Sequence, residues 1–302
     1  MRLVGRGCVG NAIDPARRRD QWCANSATAA ARMRAFVASA SLDMCPESAR
    51  RPKTDFSNPA VRQILKAPRN KVLVPATEQK NMTMGNGKKF ATGNHPVETL
   101  VPMLHLRNAG FDLEIATPTG RPVVLEMWAY PTDDTHVKAL HEELADSFAN
   151  PRSLVDVVAT SLDQPEQYAA VFTTWGPWRN AWPTRRSQCR YDLELGPQQR
   201  PDHDQPATTL NGQDFLYDGY KMAVFPDSVD KQTPMIGYLP GKMPSLVSTK
   251  LEELGATIMN KKADATVCID RRLVTGASPQ AADPIGVLAA NTLLAHAKKN
   301  NW

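Results

Sequence analysis

The sequence predicts an α/β fold, a three-layer sandwich on a mostly parallel central sheet. Three observations predict it. Short, nearly continuous apolar runs recur, as in Lys71-Val72-Leu73-Val74-Pro75-Ala76, and such runs suit strands buried on both faces. Segments with helical spacing alternate with them. The 302 residues are 42% hydrophobic and 22% charged, enough apolar material for one large domain or two small ones.

The elements follow in order. Residues 71–76 read as the first buried strand, and the polar, glycine-containing residues 77–93 as a loop. From Pro96 the spacing turns helical, with Val97, Leu100, Val101, Leu104 and His105 three and four apart. Asn94 or His95 precedes a proline placed where helices accept one, in the first turn. Asn108-Ala109-Gly110 stops that helix. Residues 111–116 and 122–127 read as strands, 134–148 and 153–160 as helices, and 168–172 as a strand. Farther on, 220–225 reads as a strand, 245–254 as a helix ended by Gly255, and 256–259 as a strand. Residues 267–269 and 273–275 pair as a hairpin, and 285–298 is a closing amphipathic helix. There are no internal repeats.

Charge and cysteine content exclude several classes. Residues 1–55 hold ten of the 36 Lys/Arg and five of the 31 Asp/Glu, leaving 26 of each. The whole +5 excess therefore sits in the first 55 residues, and the rest carries no basic footprint for nucleic acid. No apolar run is long enough to span a bilayer. The five cysteines (Cys8, Cys23, Cys45, Cys189, Cys268) are odd in number and irregularly spaced, with no zinc pattern. They read as free thiols in a reducing compartment, which is expected to be the cytoplasm. Residues 1–65 are read as a basic segment outside the domain, either a disordered tail or the product of a start placed upstream of Met33 or Met44. An Arg-, Ala- and Ser-rich composition also suits an organelle transit peptide.

Several segments carry a family resemblance, all in the expected order. They include Lys71-Val72-Leu73-Val74, Gly93-Asn94-His95-Pro96-Val97-Glu98-Thr99-Leu100, Ala109-Gly110-Phe111-Asp112-Leu113-Glu114 and Leu125-Glu126-Met127-Trp128-Ala129. Tyr168-Ala169-Ala170-Val171-Phe172, Phe225-Pro226-Asp227-Ser228-Val229-Asp230-Lys231-Gln232-Thr233-Pro234 and Leu273-Val274-Thr275-Gly276-Ala277-Ser278-Pro279 continue the series. Together they resemble the HchA-type glyoxalase III and protein deglycase chaperones of the PfpI superfamily. The resemblance implies a flavodoxin-like, class I glutamine-amidotransferase-like domain over residues 66–300. It also implies a Cys-His pair on a strand-to-helix turn, where the helix dipole favours the thiolate. By that resemblance Glu98 is the acid/base carboxylate and Asp230 the triad aspartate. Read without it, Glu98 is a stabilising acid in a first helical turn, and Asp230 a turn residue beside Lys231.

Some members of the family resembled hold a metal with two histidines and a glutamate. The matching positions are Arg107, Asp112 and Leu144, one possible ligand in three. His95 reads as a turn residue and His105 as a partly buried helix residue. No metal and no cofactor are expected.

Residues 173–206 depart from the family pattern, which would give a glycine-rich turn, a helix, a strand and the Cys-His elbow. The chain reads Thr173-Thr174-Trp175-Gly176-Pro177-Trp178-Arg179 and then Ser187-Gln188-Cys189-Arg190-Tyr191-Asp192, with no period of 2 or 3.6. Tryptophan has a single codon, which a one-base shift turns into glycine. In that shifted frame Trp175 and Trp178 become the glycines of the expected turn, and 187–205 becomes an amphipathic helix leading into a strand. A frameshift or mis-spliced exon accounts for this segment, and a divergent insertion is the alternative. Cys189 has no neighbouring histidine and is not read as the nucleophile.

The functional expectation is a glyoxalase III and deglycase-type protein. Its partners would be methylglyoxal, glyoxal and glycated or unfolded proteins, with no membrane or nucleic acid, and it would form a homodimer. The alternatives are a catalytically dead, chaperone-like protein that binds unfolded clients, and a defective product that barely folds. An amidotransferase or protease role on the same fold would need the same elbow.

Overall fold

The apolar run at residue 71 becomes the middle strand of a seven-stranded sheet. The computed structural model of the chain describes residues 54–55, 70–162, 167–174, 191–195, 215, 217–243 and 246–300, with the backbone alone for 161–162, 174 and 191–195. β1 (Lys71–Pro75) is followed by a small antiparallel hairpin, β2 (Asn81–Thr83) and β3 (Lys89–Ala91). β4 (Asp112–Thr117) flanks β1 in parallel, and β5 (Arg152–Ser153) flanks β4 in parallel. β6 (Ala170–Thr174) is the parallel neighbour of β1 on its other side. Beyond it, β7 (Tyr191–Leu195) runs antiparallel to β6. A separate parallel pair, β8 (Lys221–Met222) and β9 (Thr257–Ile258), comes next. β10 (Val267–Asp270) and β11 (Leu273–Gly276) then complete the main sheet, in the order β10-β11-β7-β6-β1-β4-β5.

Strand alternation divides the core between two faces. Val72 and Val74 point into the larger cluster, with α1 (Pro96–Ala109) and α7 (Ala282–Lys299). Leu73 lies in the opposite cluster, with Leu154, Val157 and Tyr168. Helices therefore cover both faces of the sheet, as expected for three layers. Among the described residues, no helix is long and apolar enough to cross a membrane.

α1 and α7 cross closely because Gly286 has no side chain. A Cβ there would lie 2.6 Å from His105 Cδ2 and 3.0 Å from Pro102 Cα. Gly286→Ala gains about 0.8 kcal/mol of helix propensity, but the overlap with a backbone atom outweighs it. A net loss of about 1–2 kcal/mol is expected in a denaturant melt. The same crossing buries His105, whose Nε2 lies 2.8 Å from Asp283 Oδ1. His105 is thus fully buried, deeper than the sequence suggested.

Several elements differ from the expectation. Residues 122–127 do not join the sheet, because their backbone is spent on neighbouring loops and a helix. Val123 N donates to Phe148 O, Val124 N to Thr77 O and Glu126 N to Asn94 O. The expected loop 77–93 contains the β2–β3 hairpin. The helix at 134–148 divides at Leu144 into α2 (Thr135–Glu143) and α3 (Ala145–Ala149). The helix at 153–160 is the short α4 (Leu154–Val157) running into a π-turn. The region from 220 onward gives only the two residues of β8, then an unanticipated helix, α5 (Asp227–Gln232), and α6 (Val247–Glu253). Within 173–206 the structure forms β7, where Tyr191, Leu193 and Leu195 alternate with Asp192 and Glu194. That period of 2 corrects the aperiodic reading of this stretch. Apart from Thr54 and Asp55, residues 1–65 lie outside the described residues, as do Trp175, Trp178 and Cys189.

Candidate active site

The turn entering α1 is built against residues 124–126. Gly93 is required by proximity rather than by dihedral freedom, since a Cβ would lie 2.6 Å from Val124 O and 3.1 Å from the Leu125 carbonyl carbon. Asn94 then acts as a rivet. Its N–H donates to Val124 O (2.7 Å) and its Oδ1 accepts from Thr77 N (3.0 Å). Its Nδ2 donates to Val124 O (2.8 Å) and Thr77 O (3.1 Å). Because Thr77 lies just beyond β1, these bonds hang the N-terminus of α1 at the carboxyl edge of the parallel strands. That edge is where open α/β sheets bind ligands.

His95 is the N-cap of α1, and its Nδ1 accepts from the Glu98 N–H at 3.5 Å. This agrees with reading His95 as a turn residue. Pro96 fills the first position, and Glu98 sits in the first turn, 5% exposed. A carboxylate there gains from the aligned N–H groups of the helix.

Against the same turn lies a second acid that the sequence reading quoted without a role. Glu126 Oε1 accepts from Thr92 Oγ1 (2.7 Å) and from Gly93 N–H (3.3 Å). Burial pushes its carboxyl up, and the nearby Glu98 adds to this against the pull of His95, Thr92 and Gly93. The only sequence signal was an acid set inside an apolar stretch. Beside it, Trp128 packs edge-on against His95 (6.0 Å) and Tyr238 (5.5 Å), and Tyr238 packs against Phe90 (5.6 Å).

Asp230 is buried in α5. Its carbonyl accepts from Thr233 Oγ1 (2.8 Å), and Thr233 O accepts from the Tyr238 N–H (3.0 Å), which links α5 to the aromatic wall. The other acid of α5, Asp227, is committed elsewhere. It accepts from Ser248 N, Thr249 N and Thr249 Oγ1 and so caps α6 from outside. Asp227→Ala strands those three donors, and an expected loss of about 2 kcal/mol is read by denaturant melts.

Burial alone would raise Asp227, yet the bonds from Thr249 and Ser248 hold it below the usual carboxylate range. Asp134 behaves likewise, its burial outweighed by bonds from Thr54, Val137 and His136. A depressed folded pKa gives stability that is full above the unfolded value of about 3.9 and lost as pH falls through the folded one. The melting temperature should therefore hold from pH 7 to 5 and drop below pH 4, less steeply in Asp227→Ala.

The thiol of Cys268 is half-buried on β10 and donates to Lys221 O (3.4 Å). Burial, then Asp270, pushes its pKa up, which opposes nucleophilic use.

The three positions matching the family's metal ligands do not fit a metal. Arg107 donates to Asp112 Oδ1 and to Glu143 Oε1, both at 2.8 Å, and Leu144 is buried. A guanidinium and an alkyl chain offer no lone pair, and the arginine already supplies the positive charge between the two acids.

No family model matches the chain. Curated proteins do. It is 40% identical over 238 residues to the protein/nucleic acid deglycase HchA of Pseudomonas aeruginosa, covering 74% of this chain and 81% of that protein. It is 36% identical over 256 residues to the protein of the same name from Staphylococcus aureus, covering 80% and 86%. Among solved structures, the 24 kDa Rapid Encystment Protein of Francisella tularensis superposes with a TM-score of 0.54 at 16% identity, over 74% of this chain and 98% of that one. The structural likeness shows a shared fold. The identity across four-fifths of the two curated proteins, with the Gly93–Glu98 turn built into the sheet edge, shows that the chain belongs to the HchA protein/nucleic acid deglycase family.

Proposed function

We propose that this chain is a glyoxalase III and deglycase-type protein acting without a cofactor on methylglyoxal, glyoxal and early glycation adducts of proteins. Glu98 is its proton-carrying carboxylate and Asp230 its triad-type aspartate, acting in a domain spanning residues 66–300. In this chemistry a thiolate adds to the aldehyde carbon as a hemithioacetal, Glu98 moves a proton from that carbon to its neighbour to give a 2-hydroxy thioester, and water then cleaves the carbon–sulfur bond, releasing the hydroxy acid and the thiol. The observation that carries the reading is the buried Glu98 carboxylate at the carboxyl edge of the sheet, in a chain 36–40% identical to deglycases. Asp227 is spent on capping α6, and this favours Asp230 for the aspartate role. The balanced charge outside residues 1–55 favours protein and aldehyde partners over tight nucleic-acid binding, although the relatives' name includes nucleic acid. A cytoplasmic homodimer completes the proposal.

One observation favours a second reading. A strand delivering a thiol to the edge where Glu98 sits would follow β6 through a helix, and such crossovers put the next strand parallel in the same sheet. The place beside β6 is instead filled by the antiparallel β7. In that reading the protein binds unfolded clients without turnover. Glutathione-free methylglyoxal consumption by the purified full chain separates the two. Turnover supports the enzyme, and a folded, inert protein that still suppresses aggregation of a denatured client supports the second.

A further inference from the structure

We propose that the rim beside Glu98, formed by the β2–β3 hairpin, Met127–Trp128 and the turn at 232–239, docks an acidic, apolar segment of unfolded polypeptide. The inference deepens the reading above by naming the chemistry of the polypeptide partner, and it rests on that reading for the role of Glu98.

The rim is assembled from three stretches of chain far apart in sequence. Gly85 N donates to Lys242 O (2.9 Å) and Asn86 Nδ2 to Pro240 O (2.9 Å), which ties the hairpin to the chain beyond α5. Phe90, Tyr238, Trp128 and His95 then form an unbroken run of ring contacts. The run ends at the N-cap of α1, whose first turn carries Glu98. The turn at 232–239 closes on itself, with Thr233 O accepting from the N–H groups of Tyr238 and Leu239. At its tip Met235 is 84% and Ile236 42% exposed, and Met127 is 60% exposed. Apolar side chains gathered in the open beside a site mark a binding surface. Flexible, polarisable methionines suit a partner of no fixed shape.

Charge identifies the partner. Residues 79–92, 127–132 and 231–243 carry five lysines (Lys80, Lys88, Lys89, Lys231, Lys242) and no acid, and all five lysines are exposed. Lys80, Lys88, Lys89 and Lys242 pair with no acid among the described residues, and Lys231 acts on the buried Asp227. Because charge beyond residue 55 is balanced, this is a local excess and not the average of the surface. An acidic segment is steered to such a rim and a basic one is repelled. Nucleic acid fits less well. Its bases need free aromatic faces, whereas these rings are spent on one another, and the three most exposed apolar side chains of the rim carry no ring.

The test is the affinity of the full chain for dye-labelled synthetic peptides, read by fluorescence anisotropy at low salt. The probe is a peptide rich in glutamate and leucine. One comparison peptide has lysine for each glutamate, another has serine for each leucine, and a single-stranded oligonucleotide is the fourth ligand. The acidic, apolar peptide is expected to bind at least about tenfold more tightly than each of the other three, with its advantage over the lysine peptide shrinking in high salt. The double variants Lys88→Glu/Lys242→Glu and Met235→Ser/Ile236→Ser are each expected to weaken its binding about tenfold. All four side chains are exposed, melts confirm folding, and either folded double variant decides alone. No binding, binding of any other ligand as tightly as the probe, or an unchanged affinity in a folded double variant overturns the proposal. Consumption of free methylglyoxal tests the other reading. Peptide preference without turnover sinks the enzyme and leaves the docking surface, while turnover without peptide preference sinks the docking surface alone.

Discussion

Gly93→Ala is expected to lower stability by about 2–3 kcal/mol, a fall of roughly 4–12 °C in melting temperature. Its Cβ would meet Val124 O at 2.6 Å and two backbone carbons within 3.1 Å, so no side chain can swing aside to admit it. The turn must withdraw from residues 124–126. That stretches the Asn94 bonds to Val124 and the Glu126 bond to Gly93 N, and it moves Glu98 with the turn. Any aldehyde turnover should fall with stability for that reason. Gly85→Ala is the control, since its Cβ would meet only Lys242 O at 3.4 Å, an ordinary contact. Equal melts for Gly93→Ala and Gly85→Ala would show that the close approach is not rigid.

Legibility differs sharply between elements with a local pattern and those placed by pairing. β1, α1, β4, the β10–β11 hairpin and α7 could be read because each is a local pattern with a marked end, such as Gly110 in left-handed conformation closing α1. Residues 122–127 were misread because an extended apolar segment looks the same whether it pairs with a strand or with loops. β7 was missed for a related reason. Its alternation spans five residues between prolines and charges, and its place is set by β6 and β11, whose pairing partners no local pattern reveals. Small pairs such as β8 and β9 are fixed by tertiary pairing, and the sequence overestimated their length.

The candidate site was legible in part. Glu98 was found through the Gly93–Leu100 motif, and the structure puts it, buried, in the first turn of α1. Glu126 was quoted for resemblance alone, because its role depends on folding residues 92–94 against 124–126, a contact some thirty residues apart. Asp227 and Asp230 are indistinguishable in sequence, as acids three apart on one short helix. Only the bonds from Ser248 and Thr249 show that Asp227 is a cap. At the matched metal positions, sequence showed missing ligands, and the structure added that Arg107 links Asp112 and Glu143.

The central claim is that Glu98 works as an acid/base carboxylate and is more than a stabilising acid in a helical first turn. Glutathione-free methylglyoxal consumption by wild type, Glu98→Gln and, as a surface control, Asp112→Asn tests it most directly, with melts confirming that all three are folded. The account predicts consumption by wild type and Asp112→Asn, and a roughly 10²- to 10⁴-fold lower rate in Glu98→Gln, with melting changed by no more than the helix-terminus contribution of about 0.3–1 kcal/mol. Consumption that persists in folded Glu98→Gln, or a folded wild type that consumes none, would contradict it.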